Sequence, residues 1–209
     1  MDGSGINGDN ARMTSPVLRL ASASPRRREL LLQIGVPHVA TPADVDESPM
    51  PGEAPRDYVL RLARAKAQAG WNASPDLPVL GADTTVVVDG AIFGKPADRE
   101  QACGMLRTLS GRTHEVLTAV ALASRAGVAA ALSVSQVCLR ATTAEERGRY
   151  WDSGEPRDKA GGYAIQGLGA VFIESLSGSY SGVMGLPLFE TAQLLAAAGV
   201  RCWLPERAA

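Results

Sequence analysis

The sequence predicts an α/β protein, a mixed twisted sheet flanked by helices, and three observations carry that class. Short segments of strand character alternate with segments whose apolar residues recur at helical spacing. Two long β-rich runs, 114–124 and 129–142, are joined at Ala126-Gly127 as a hairpin. No repeat, low-complexity linker or charge block divides the 209-residue chain, which is long enough for one well-buried domain. Residues 1–15 are Gly, Asn, Asp and Ser without periodicity and are expected to form a disordered leader, with Met13-Thr14-Ser15 an alternative start; 16–209 is expected to be a single domain.

The first strand, 17–21, alternates in hydropathy. Ser24-Pro25 then starts a helix, a hydroxyl to cap free N–H groups followed by a ring that fits the first helical position. Leu30, Leu31 and Ile34 share its buried face and Gly35 closes it. A short strand over 37–41 leads to the polar segment Asp44 to Ser48 and a proline-rich loop. The next helix, 56–69, buries Tyr58, Val59, Leu62, Ala63 and Ala65 and ends at Gly70; Lys66, four residues after Leu62, borders that face, where a lysine ordinarily snorkels to solvent. The β-branched run at 78–88 is the most strand-like stretch, and Asp89-Gly90 returns it through 91–93.

Asp98 caps a helix reaching about 109, with Gln101 at the capping-box position, and Ser110-Gly111 stops it. After the long hairpin, Thr143-Ala144-Glu145-Glu146 is a second capping box, opening a helix to 152. A glycine-rich charged loop fills 154–169, followed by a strand at 171–174 and a loop through Gly178 and Gly182 to Pro187. A helix over 188–198 and a strand over 200–204 close the chain.

Composition excludes several classes. A net charge of −1 gives no basis for non-specific nucleic-acid binding, so any anion site is a local gathering of basic groups. The apolar runs are too short to span a bilayer, and no signal-peptide pattern is read at the start of the sequence. Cys103, Cys138 and Cys202 are scattered and nowhere form Cys-x-x-Cys, which reads as reduced thiols in a cytoplasmic protein. With only His38 and His114 available, a metal would need oxygen ligands, which points to magnesium or manganese.

Four places carry chemistry. Arg26, Arg27 and Arg28 crowd a helix start that is already partly positive; this becomes favourable if an anion sits there, held by N–H groups, serine hydroxyls and guanidinium forks, and is otherwise a solvated basic turn. Asp83 lies inside an apolar strand, where a carboxylate needs a partner, a metal or a function to offset lost hydration, and Gly81-Ala82 beside it permits close approach of a backbone or ligand. The loop at 154–167 offers Lys159, approachable glycine N–H groups and Gln166, whose amide both donates and accepts as a base edge demands. Asp46 and Glu47 add acidic oxygens suited to a divalent ion. Lys66 and Lys95 are, taken singly, ordinary lysines. No phosphate-binding Gly-x-x-x-x-Gly-Lys-Ser/Thr loop, Gly-x-Gly-x-x-Gly or Gly-x-Ser-x-Gly occurs, and His114, in a helix-to-strand turn, reads as a loop-ordering residue.

Six segments, in register over nearly the whole chain, resemble the Maf family of nucleoside triphosphate pyrophosphatases: 22–31, 80–84, Lys95-Pro96, 109–114, 158–167 and 183–188. The resemblance implies a fold similar to the inosine triphosphatase-like pyrophosphatases with a cleft between two lobes, a homodimer, and divalent-metal-dependent cleavage of a nucleoside triphosphate to monophosphate and pyrophosphate. Carried over, Asp83 takes the catalytic aspartate's position, and Ser22, Arg27, Glu47, Lys66, Lys95 and Lys159 take positions in the cluster around phosphates and metal. Glu47 and Asp83 are the expected metal ligands, with Lys95 the third catalytic group. Arg26, Thr84 and Gln166 look like the trio of the branch acting on dTTP and UTP; the 7-methyl-GTP branch typically has Trp, Gln and Glu there. Met184 stands where Val is common. The expected partner is therefore a nucleoside triphosphate, with neither nucleic acid nor membrane. The alternatives are a purine-type pyrophosphatase of the same family, or a nucleotide-binding regulator of septum formation without turnover.

Overall fold

A computed structural model describes residues 15–203, and the expected leader at 1–15 lies outside them except for Ser15. In chain order the elements are β1 (Leu18–Leu20), α1 (Pro25–Gln33), β2 (His38–Ala40), α2 (Pro55–Ala73), β3 (Val79–Val88), β4 (Ala91–Phe93), α3 (Arg99–Leu109), β5 (Thr113–Ser124), β6 (Gly127–Leu139) and α4 (Ala144–Asp152). Three 3-10 turns, Glu155–Asp158, Ala160–Gly162 and Gly167–Phe172, precede β7 (Ile173–Ser177), α5 (Tyr180–Met184) and α6 (Leu188–Ala197). The seven strands form one mixed sheet in the order β2-β1-β3-β5-β6-β7, with β4 also on β3. β1 runs parallel to both β2 and β3, and the remaining pairs are antiparallel.

Alternation along β3 assigns its two faces. Leu80 and Ala82 join β1, α1 and α6 in one apolar cluster, while Val79 packs with Val59, Ala63 and Ala67 of α2 on the other side. Gly81 permits that second contact. A Cβ there would stand 2.4 Å from the Ala63 carbonyl oxygen and 2.5 Å from the Ala67 nitrogen, so the close approach foreseen at this glycine is made by the backbone of α2.

Several expectations are corrected. Ser24 occupies the N-cap position of α1 without a side-chain cap; instead Ser22 Oγ accepts from the Ser24 N–H at 3.2 Å. α2 runs through Gly70 to Ala73, because that glycine is buried against Val79, whose Cγ1 would lie 2.8 Å from an added Cβ. Asp98 does cap α3, but Gln101 reaches back to the Ala97 N–H rather than to the cap residue. The hairpin turns at Arg125-Ala126, so Gly127 already belongs to β6, and β6 ends at Leu139. The strand read at 171–174 begins only at Ile173, after a 3-10 turn, and the segment read as a loop before Pro187 contains α5. Of the strand expected at 200–204, residues 200–203 are not a strand, and 204 lies outside the described residues. The Thr143 box forms as read, with both reciprocal hydrogen bonds.

Candidate active site

The site originates in a gap in strand pairing. Along one edge of β3, β1 pairs at Val79 and Leu80 and β4 pairs from Val86 to Val88. Between them, Gly81 to Thr85 have no strand partner on that edge, although β5 pairs the opposite edge throughout. A cleft of about 620 Å³ opens at the gap. Because the strand is exposed edge-on there, Asp83 and Thr84 both reach it, although successive side chains point to opposite faces.

On the α2 face stands an acid–lysine–acid bridge. Lys66 Nζ lies 2.7 Å from Asp83 Oδ1 and 2.6 Å from Glu47 Oε1. Lys66 is 8% exposed and Asp83 7%, so the lysine does not snorkel away but supplies the counterion that the strand-borne acid requires. Glu47 comes from the segment between β2 and α2, which α2 holds down. Tyr58 Oη donates to the Glu47 carbonyl at 3.0 Å, and Arg61 donates to the Ser48 carbonyl while making a 2.6 Å ion pair with Glu53. Asp46 does not line the cleft; its carboxylate accepts from the Ser48 N–H and closes a local turn.

On the α1 face Arg27 is anchored through three of its five N–H donors, which leaves two for a ligand. Its Nε donates to the Gly185 carbonyl at 2.7 Å, Nη1 to Ser22 Oγ at 3.2 Å and Nη2 to Thr84 Oγ1 at 3.2 Å. Arg26 approaches Asp158 at 3.5 Å, and Asp158 also holds Lys159. Lys95 stands exposed on the opposite wall, tied to the loop by the Gly161 N–H donating to the Gly94 carbonyl.

Two tyrosines shape the wall that carries Gln166. Tyr150 Oη donates to Glu155 and accepts from the Ala164 N–H, while Glu155 accepts from the N–H groups of Leu168 and Gly169. Tyr163 Oη meets His114 Nε2 at 2.6 Å. Gln166 Oε1 is buried in the cleft wall without a partner, an open acceptor where the loop was expected to read a base. His114 lies in β5 rather than in the turn that precedes it, and its Nε2 meets Tyr163 of the 154–167 loop instead of a group in its own turn. Tyr150, Glu155 and Arg61 were missed, and Tyr58 was read only as part of the buried face of its helix, not as a support for Glu47.

The two acids are pushed apart in acidity. Burial raises the Asp83 carboxyl above the usual aspartate range, and the charge and hydrogen bond of Lys66 offset this only in part. Burial also pushes Glu47 up, but the hydrogen bond and charge of Lys66, with Lys95 and Arg27, outweigh it and hold Glu47 below its ordinary value. Burial lowers the Arg27 guanidinium from its usual value, against the pull of Asp83. One carboxyl is thus primed to take up a proton while its neighbour stays anionic, an arrangement suited to general-base work.

The ten residues carried over from the family resemblance line this one cleft: Ser22, Arg26 and Arg27 from the α1 side, Glu47, Lys66 and Asp83 from the α2 side, Thr84 between, and Lys95, Lys159 and Gln166 opposite; Arg28 and Asp46 do not line it. The described residues contain no helix long and apolar enough to cross a membrane.

Comparison with known proteins agrees with the geometry. The family model described as Maf-like protein matches residues 17–198. The chain is 58% identical over 194 residues to the dTTP/UTP pyrophosphatase of Bordetella avium, covering 88% of this chain and 96% of that protein. It is 58% identical over 183 residues to the dTTP/UTP pyrophosphatase of Methylobacillus flagellatus (87% and 92% covered), and 55% identical over 194 residues to that of Bordetella pertussis (88% and 94%).

Proposed function

The chain belongs to the Maf-like protein family, and from that premise we propose that it hydrolyses dTTP, UTP and related pyrimidine nucleoside triphosphates to the monophosphate and pyrophosphate. The observation that carries the reading is the pairing of Asp83 and Glu47 across Lys66 in a cleft that also gathers Arg26, Arg27, Lys95 and Lys159.

Arg27, Lys95 and Lys159 bind the triphosphate tail and neutralise its charge. Asp83, the carboxyl whose proton affinity burial has raised, orients a water at the α-phosphorus and accepts its proton as the oxygen attacks. The bond from the α-phosphorus to the bridging oxygen breaks, and its electron pair leaves on pyrophosphate, stabilised by the same cations. Gln166 meets the polar edge of the base, its open acceptor taking the imide N–H of uracil or thymine, while Thr84 and Arg26 shape the pocket.

Glu47 and Asp83 are also a fitting donor set for magnesium or manganese, since two hard carboxylates joined by substrate phosphates are a common way to hold such an ion. Among the described residues no cluster of three or more His, Cys, Asp or Glu forms an all-protein cage, so phosphate oxygens would complete the coordination. A bound ion would supply positive charge to the phosphate oxygens. A homodimer belongs to the same reading and is checked by light scattering.

A panel of purine and pyrimidine triphosphates, assayed for pyrophosphate release with and without magnesium, tests the assignment. Asp83→Asn is expected to lower turnover at least about a hundredfold while the protein stays folded. Near-normal turnover by that variant overturns the role of Asp83, and a purine triphosphate heading the panel overturns the pyrimidine assignment.

A further inference from the structure

Behind Thr84 lies a hydroxyl that the mechanism above does not use. Thr118 of β5 is the register partner of Thr84 and is 1% exposed. Its Oγ1 stands 2.7 Å from the Gly182 carbonyl oxygen and 3.0 Å from Thr84 Oγ1. A hydroxyl has one hydrogen and two lone pairs. The carbonyl can only accept and is the nearer atom, so the Thr118 hydrogen goes to Gly182. Thr118 then offers a lone pair to Thr84, and the Thr84 hydrogen turns inward to meet it. That leaves the lone pairs of Thr84 facing outward, which agrees with Arg27 Nη2 donating to the same oxygen at 3.2 Å.

The second bond reaches the same arginine by another route. Gly182 lies in α5, three residues before Gly185, and the Gly185 carbonyl accepts Arg27 Nε at 2.7 Å. The Gly185 N–H in turn donates to the Gly182 carbonyl at 2.9 Å. Thr118 therefore touches two of the three supports of the Arg27 guanidinium, the Thr84 hydroxyl and the α5 turn but not Ser22, although Thr118 does not itself line the cleft.

We propose that Thr118 is a positioning residue: it sets the direction of the Thr84 hydroxyl and the seat of Arg27, and through them the affinity of the cleft for a nucleoside triphosphate. The proposal rests on the pyrophosphatase reading for its ligand and deepens it. A threonine in a buried strand is usually chosen for its β-branched shape. What separates the two roles is that Thr118→Val keeps the shape and removes the hydroxyl, whereas Thr118→Ser keeps the hydroxyl and removes the methyl.

The test measures kcat and KM for UTP, and the calorimetric Kd of UTP with a methylene bridge between its α- and β-phosphorus, in the wild type and both variants. Loss of the Thr118 hydroxyl, with its bonds to Gly182 and Thr84, is expected to raise KM and Kd about fivefold in Thr118→Val, with kcat within about twofold. Thr118→Ser is expected to bind within about twofold of the wild type. Unchanged Kd in the valine variant, or equal impairment of the serine variant, overturns the proposal, the latter because packing alone would then explain the site. Should Thr118→Val not fold, Thr118→Ala carries the same comparison. Failure of the wild type to turn over UTP would count against the pyrophosphatase reading alone, because the methylene-bridged ligand reports on Thr118 without turnover.

Discussion

His114 gives the fold a measurable weakness to acid. It is 3% exposed and its Nε2 meets the Tyr163 hydroxyl. Burial pushes the imidazole pKa down to about 4. An unfolded histidine titrates near about 6.5, so between those values the unfolded chain binds a proton that the folded chain refuses. The stability contributed by neutral His114 is therefore complete above the unfolded value and is lost as pH falls from there through the folded one. At about 1.4 kcal/mol per pH unit, lowering the pH from about 7 to about 4.5 removes about 2 kcal/mol through this residue. For a chain of this size that corresponds to a fall in Tm of roughly 4–8 °C. The measurement is urea unfolding at both pH values for the wild type and for His114→Gln, which can still accept from Tyr163 but cannot titrate. The variant has a lower stability at neutral pH from lost packing, but its acid slope is shallower by about 2 kcal/mol over the same interval. Parallel loss of stability in the two proteins would refute the reasoning, since the acid sensitivity would then belong to other groups.

Two further substitutions test how the cleft is supported. Gly81→Ala pushes a methyl against backbone atoms of α2 that cannot rotate away, so α2 must lift from β3, and urea unfolding should report a loss of about 1–3 kcal/mol. An unchanged midpoint would show that the helix contact is looser than the 2.4 Å approach implies. Lys66→Met leaves Asp83 buried without its ammonium partner and is expected to lower stability at neutral pH by about 3 kcal/mol, with turnover falling too. Thermal unfolding checks this, and a variant as stable as the wild type would mean that Asp83 finds its counterion elsewhere.

How far the site was legible depends on how local each signal is. Asp83 announced itself because a carboxylate in a β-branched run has an obvious cost, and the arginines of α1 did so because cations oppose the polarity of a helix start. Lys66 was half legible: helical spacing placed it at the border of the buried face, but only the position of Asp83 across the α2–β3 contact decides that it turns inward. Gly70 misled for the same reason. Read locally it ends a helix, whereas in the fold Val79 occupies the place its side chain would take, and the helix continues. Thr118 was not legible at all, because a threonine among Leu117, Ala119 and Val120 is what any strand would choose. Least local is the cleft itself. Residues 83 and 84 must point to opposite faces of any strand, so they can serve one ligand only where the strand's edge is bare. That bareness follows from β1 stopping at Leu20 and β4 starting its pairing at Val86, two lengths set by different parts of the chain. In the register of β1 on β3, pairing along Gly81 to Thr85 would use up residues 21–25, Ser22 and the start of α1 among them, so the opening and the α1 wall of the site exist together only because the chain leaves the sheet after Leu20, a long-range fact that motifs do not carry.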